Sequence, residues 1–189
     1  WPGREGEVTP VFVYTNYPTA ELFINGKSYG KQSKNNSSLK SRYRLMWMDA
    51  VYEPGEVKVV AYNKDGKAVA EKTVRTAGKP HHIELVSNRN ELTADGKDLA
   101  YVTVKVVDKD GNLCPTDSRL IHFSVKGAGK FRAVANGDPT NLEQFHLPKM
   151  HAFHGMLTAI VQAGEIAGDL VLTAKASGVK TGTVHLQAK

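Results

Sequence analysis

Turn-forming pairs punctuate this chain at short intervals, and between them side-chain character alternates with a period of two. Asn25-Gly26, Pro54-Gly55, Asp65-Gly66 and Asp110-Gly111 each put a residue that tolerates positive φ where a tight reversal needs one. Tyr43, Leu45 and Trp47 alternate with Arg44, Met46 and Met48. Val57, Val59 and Ala61 alternate with Lys58, Val60 and Tyr62, and Tyr101, Thr103 and Lys105 with Val102, Val104 and Val106. Period two sends successive side chains to opposite faces of a strand. No segment carries a sustained apolar stripe at helical spacing, and residues 142–146 could form a single turn at most. The chain is therefore expected to be all-β.

The expected strands fall in two sets. The first occupies 8–15, 21–24, 43–48, 57–62 and 68–76. Ala77-Gly78-Lys79-Pro80 then reads as a linker, and the pattern restarts. The second set occupies 82–86, 99–107, 120–125, 131–135, 156–161, 170–176 and 180–187, a spacing that suits an immunoglobulin-like sandwich. The expected organisation is two tandem immunoglobulin-like β-sandwich domains, a small one over 1–77 and a second over 78–189. Residues 31–40 and 136–155 read as loops, and the second is long enough to be functional or to lie against a neighbour.

Length and composition bound the function. The chain has 189 residues, fewer than the ~250 of a catalytic (β/α)8 barrel. Hydrophobic residues make up 41% and charged residues 23%, values of an ordinary globular chain rather than a disordered one. No apolar run is long enough to span a membrane as a helix. The opening Trp1-Pro2-Gly3-Arg4 lacks the pattern of a signal peptide and reads as cut from something longer, with Trp1 expected to contact an upstream domain. The single cysteine, Cys114, is expected to be structural.

The net charge is +6, and no acid interrupts the stretch from Leu22 to Met48, where Lys27, Lys31, Lys34, Lys40, Arg42 and Arg44 all fall. Without a recognition motif this argues against nucleic acid. It reads as a solvated face or as a docking surface for an acidic partner. The Asn-x-Ser pattern at 35–38 is expected to stay unmodified.

Catalytic chemistry finds no purchase. Glycoside hydrolysis needs two carboxylates about 5 to 10 Å apart across a pocket, whereas Asp65, Asp95, Asp98, Asp108 and Asp110 lie beside turns or on polar faces and are expected to stay exposed. Asp108-Lys109-Asp110-Gly111-Asn112 lacks the glycine and the closing glutamate of a calcium loop. His146, His151 and His154 read as loop and packing histidines rather than metal ligands. Gly127-Ala128-Gly129-Lys130 follows a strand without opening a helix and reads as a β-turn. No catalytic, cofactor-binding or metal residue is assigned, and no cofactor is expected. Exposed aromatic rings could pack on sugars, which makes Trp47, Tyr17, Tyr43 and Tyr52 candidates, although the alternation around Trp47 favours the core. With the basic residues Lys34 and Arg42, the candidate glycan or domain contact is Trp47, Tyr17, Tyr43, Lys34 and Arg42.

Several motifs then resemble a known family in order along the chain. Val13-Tyr14-Thr15-Asn16, Glu21 to Gly30, Tyr52-Glu53-Pro54-Gly55-Glu56, Val59-Val60-Ala61-Tyr62 and Val74-Arg75-Thr76-Ala77-Gly78 resemble the small domain that follows the catalytic barrel in bacterial glycoside hydrolases of family 2. Leu92 to Ala100, Val106 to Asn112 and Asn136-Gly137-Asp138-Pro139-Thr140 resemble the next domain of those enzymes. The resemblance implies a non-catalytic C-terminal accessory region of a β-galactosidase-like or β-glucuronidase-like parent, whose two catalytic glutamates lie on the barrel. It implies packing on that catalytic domain or mediating assembly, with an autonomous carbohydrate-binding module as the alternative. Its partners would be the catalytic domain of the parent chain, with a glycan and a second copy left open, and neither nucleic acid nor membrane. The implied localisation is the periplasm or cell surface of a Gram-negative bacterium.

Overall fold

A computed structural model describes residues 3–189; the contact expected of Trp1 lies outside them. The chain divides into two compact units, Trp1–Thr76 and Ala77–Lys189.

The first unit is a small sandwich. Its strands are β1 (Val11–Val13), β2 (Thr19–Ile24), β3 (Lys27–Ser33), β4 (Leu45–Trp47), β5 (Glu56–Tyr62) and β6 (Ala68–Arg75). One layer is the antiparallel pair β1-β4; the other is a four-stranded sheet ordered β3-β2-β5-β6. Alternation sets which residues meet between them. Ala20, Leu22 and Ile24 of β2 and Leu45 and Trp47 of β4 are buried, with Ala50 and Ala61. Withdrawing such side chains from water contributes roughly 1.5–3 kcal/mol for each large one. Asn25-Gly26 turns β2 into β3 with both residues at positive φ, at 50° and 81°.

The second unit is a larger sandwich built from β7 (His82–Ser87), β8 (Glu91–Leu92), β9 (Leu99–Val107), β10 (Leu120–Gly127), β11 (Gly129–Ala135), β12 (Lys149–His151), β13 (Met156–Ala163), β14 (Gly168–Lys175) and β15 (Gly182–Ala188). The two sheets are ordered β12-β10-β14-β15-β8 and β11-β13-β9-β7. The inward registers of β9 (Ala100, Val102, Val104, Val106), β13 (Leu157, Ala159, Val161, Ala163) and β14 (Leu170, Leu172, Ala174) fill the space between them. The fold is all-β, two tandem immunoglobulin-like sandwiches.

Four expectations need correction. Residues 31–33, read as part of a loop, belong to β3, because they pair with Thr19–Glu21 of β2. Residues 127–130, read as a β-turn, are strand on either side of Ala128: β10 and β11 belong to different sheets, and the chain crosses between layers there. Residues 149–151, read as loop, form β12 because they pair with Leu120–His122 of β10. Asp108, read as an exposed turn acid, is only 2% exposed.

Candidate functional site

The five residues singled out from the sequence separate into structural and surface groups. Trp47 is 1% exposed, and its indole Nε1 donates to the Gly30 carbonyl at 3.0 Å. Its ring is part of the core and offers no face to a sugar. Tyr17 is half-buried against the same core. Lys34 is half-buried too, and its Nζ donates to the Thr15 carbonyl, tying the loop after β3 to the segment before β2. Only Tyr43 and Arg42 present themselves to solvent. Tyr43 is 66% exposed, the Arg42 guanidinium lies 5.8 Å from its ring centre, and Arg42 Nε donates to the Asn36 carbonyl at 3.1 Å.

A second surface of the first unit follows from the alternation that buries Val11, Val13, Leu45 and Trp47. Their neighbours must point outward. Phe12 and Met46 are cross-strand partners on the outer face of the β1-β4 layer. The Arg44 guanidinium lies 5.4 Å from the Phe12 ring centre, and Tyr14 and Met48 extend the face, both exposed. The signal in the sequence is the even-numbered set of 12, 14, 46 and 48, the residues that alternate with the buried row.

In the second unit, side chains of the turns hold the backbone. Asp108 accepts from the backbone N–H groups of Gly78 (2.8 Å), Asp110 (2.9 Å) and Asn112 (2.8 Å), and from the Asn112 amide (3.0 Å). The Gly78 N–H, the Asn112 side chain and the other amides hold its carboxyl far below the usual carboxylate range, against the opposing effect of burial. Arg119 grips the Asp117 carboxylate and donates from Nη1 to the Ser177 carbonyl at 2.6 Å, joining two loops. Cys114 is buried, and burial pushes its thiol up.

The long connection over 136–155 is ordered by its own polar residues. Asn136 Nδ2 donates to the His151 carbonyl at 2.9 Å, and Asp138 Oδ1 accepts from the Thr140 N–H at 2.9 Å and its hydroxyl at 2.8 Å. Burial pushes the Glu143 carboxyl up, but the His151 N–H at 3.1 Å and its ring Nδ1 at 3.0 Å more than offset this and bring it below its ordinary value. The Val134 N–H donates to the Phe145 carbonyl at 2.8 Å and fastens the loop to β11.

Between this loop and the outward face of β11-β13-β9 lies an open depression of about 670 Å³, bordered by Leu99, Arg132, Ala133 and Ile160 from the sheet and residues 142–146 from the loop. A second, of about 490 Å³, sits beside the 127–130 crossover and Gly164-Glu165-Ile166. The three loop histidines do not converge: His151 serves Glu143, His154 Nδ1 faces the Pro115 carbonyl at 3.3 Å, and His146 borders the first depression. Among the described residues no group of three or more His, Cys, Asp or Glu side chains could hold a metal ion. Among them, too, no helix is long and apolar enough to cross a membrane.

These features define a tandem β-sandwich module with elaborated surface loops. Residues 83–185 match the family described as glycoside hydrolase family 2 C-terminal domain 5, and residues 6–70 match a domain family of unknown function, DUF4982. The chain belongs to glycoside hydrolase family 2, as part of the C-terminal region of such enzymes. It is 40% identical over 190 residues to a β-galactosidase of Bacteroides ovatus, covering 100% of this chain and 22% of that protein. A β-glucuronidase of Formosa agariphila is 26% identical, with 100% of this chain and 19% of the relative covered. Among solved structures, a glycosyl hydrolase family 2 member from Bacteroides cellulosilyticus superposes with a TM-score of 0.89 at 33% identity, over 100% of this chain and 24% of that one. The chain thus spans about a fifth of the length of these relatives.

Proposed function

We propose that the two sandwiches pack on the catalytic domain of a β-galactosidase- or β-glucuronidase-type parent enzyme, stabilising it or mediating its assembly. The observation that carries this reading is the outer face of the β1-β4 layer. Phe12, Tyr14, Met46 and Met48 with Arg44 across Phe12 combine aromatic, methionine and arginine side chains on one surface, the composition enriched in protein interfaces. The acid-free stretch around Lys40, Arg42 and Arg44 borders it and favours an acidic partner surface. About four fifths of the length of the relatives lies outside this chain, which supplies the partner. Catalysis belongs to that part; the sandwiches act through stability and geometry.

The test compares the parent enzyme with and without this region. Lower thermal stability, a changed oligomeric state or reduced kcat/KM on nitrophenyl β-galactoside and β-glucuronide is the expected result of removal. Equal values for all three would end the proposal. Replacing both Phe12 and Met46 by Glu in the intact enzyme should reproduce the loss. An exported location, in the periplasm or on the cell surface of a Gram-negative bacterium, belongs to the same proposal and rests on the family resemblance alone; recovery of the native enzyme in the cytoplasmic fraction would contradict it.

A further inference from the structure

We propose that the depression between residues 142–146 and the sheet β11-β13-β9 is a binding site for an acidic sugar residue, a hexuronate within a glycan. The aromatic residues first assigned to sugar contact lie elsewhere, in the first unit, and Trp47 and Tyr17 among them are taken up by its core.

The floor is apolar. Leu99 and Ile160 point outward from β9 and β13, and Ala133 is the cross-strand partner of Ile160. Phe145, 56% exposed, rises from the loop and supplies an aromatic face of the kind that packs on sugar C–H groups. Three polar groups stand around this floor with no protein partner: among the described residues no hydrogen bond or ion pair engages the Arg132 guanidinium, the Gln144 amide or the His146 imidazole. Glu143 also borders the depression; its carboxylate is hydrogen-bonded to His151 and, among the described residues, makes no ion pair with Arg132. An unpaired guanidinium beside an apolar floor is complementary to a carboxylate carried on a ring, because the planar fork can donate to both carboxylate oxygens at once. Amide and imidazole groups suit the remaining hydroxyls.

The site is also built before any ligand arrives. The Phe145 carbonyl is held by Val134, the Glu143 N–H by Asn141 Oδ1 at 2.8 Å, and the Leu147 N–H by the Gln144 carbonyl at 3.2 Å. A loop already ordered loses little entropy on binding. A volume of about 670 Å³ lies within the range of small-ligand sites, and its openness to solvent means that one face of the sugar is held, so affinity in the ~1 mM range is expected. Membership of a sugar-cleaving family makes a glycan the ligand to expect. The inference stands apart from the packing proposal: its failure would leave that reading intact.

The experiment titrates the isotope-labelled chain with methyl β-D-glucuronide, using methyl β-D-glucopyranoside and acetate as controls, and follows backbone amide shifts. Saturable shifts confined to 132–133 and 142–146 are expected for the glucuronide, with binding about ten-fold weaker for the neutral glucoside. Arg132→Gln should reduce glucuronide affinity by about the same factor. Because Arg132 is exposed and unpaired, this variant should keep the parent spectrum elsewhere. Phe145→Ala, which leaves the backbone bond to Val134 in place, should weaken both sugars alike. No saturable shift at these residues, equal shifts with the neutral glucoside or acetate, or unchanged affinity in Arg132→Gln would each overturn the assignment.

Discussion

At the scale of single residues, Asp108 shows how a turn acid becomes structural. It organises its own turn through Asp110 and Asn112, yet it also accepts the Gly78 N–H from the segment that precedes β7. Ala77–Pro80, a linker by its Gly and Pro content, is thus tied to the second unit. The unfolded carboxyl titrates near ~4, and the folded one lies well below. The stability it contributes is therefore complete above the unfolded value and is lost as pH falls through the folded one. We expect Asp108→Ala to lower the Tm at neutral pH and to speed hydrogen exchange at the Gly78 amide. The gap in Tm from the parent should narrow steadily as the solution is made more acid than about pH 4. A gap independent of pH would show that the charge of Asp108 contributes nothing.

At the scale of elements, two features carry predictions. The first is the crossover between β10 and β11. A Cβ on Gly127, at φ 93°, would stand 2.0 Å from the Asp169 carbonyl oxygen, and one on Gly129 would stand 2.1 Å from Leu170 Cδ1 and 2.5 Å from the Gln162 carbonyl. Glycine is required because the chain passes between two sheets with no room for a side chain. Gly127→Ala and Gly129→Ala should each cost roughly 2 kcal/mol or more in denaturant unfolding. A cost under half of that would mean the crossover relaxes freely. The second feature is the mismatch of four strands over two in the first unit. The narrow β1-β4 layer covers β2 and reaches β5 only in part, and β6 stays open although Val74 lies on the sheet face that β2 and β5 turn inward. Val74 is 62% exposed while its row-mate Ile24, two strands away, is 4% exposed. We expect Val74→Thr to change stability by no more than about 0.5 kcal/mol, against about 2–5 kcal/mol for Leu22→Ala. Equal costs would show that β6 is covered in solution.

At the scale of the whole molecule, the two units have separate cores with no residue in common. Trp47→Ala should cost about 3–5 kcal/mol in the first unit. The amide spectrum of 77–189 should survive it; loss of both sets of signals would make the chain a single cooperative body. The sequence alone settled the all-β class, the second set of strands opening at His82, most strands and the two-faced alternation of β9, because alternation and turn chemistry are local. It also carried the family resemblance in ordered motifs. It could not place β8 and β12, which are two and three residues long and exist only because β15 and β10 pair with them. It favoured the core for Trp47, which is 1% exposed, but it could not show that Tyr43, two steps before Leu45-Trp47 in the same alternation, ends exposed, nor bring Arg132, Ile160 and Phe145 around one depression. Those outcomes depend on which strands become neighbours and how far each layer reaches over the other. Such long-range pairings are selected by the packing of the folded chain, and short-range patterns in sequence do not encode them residue by residue.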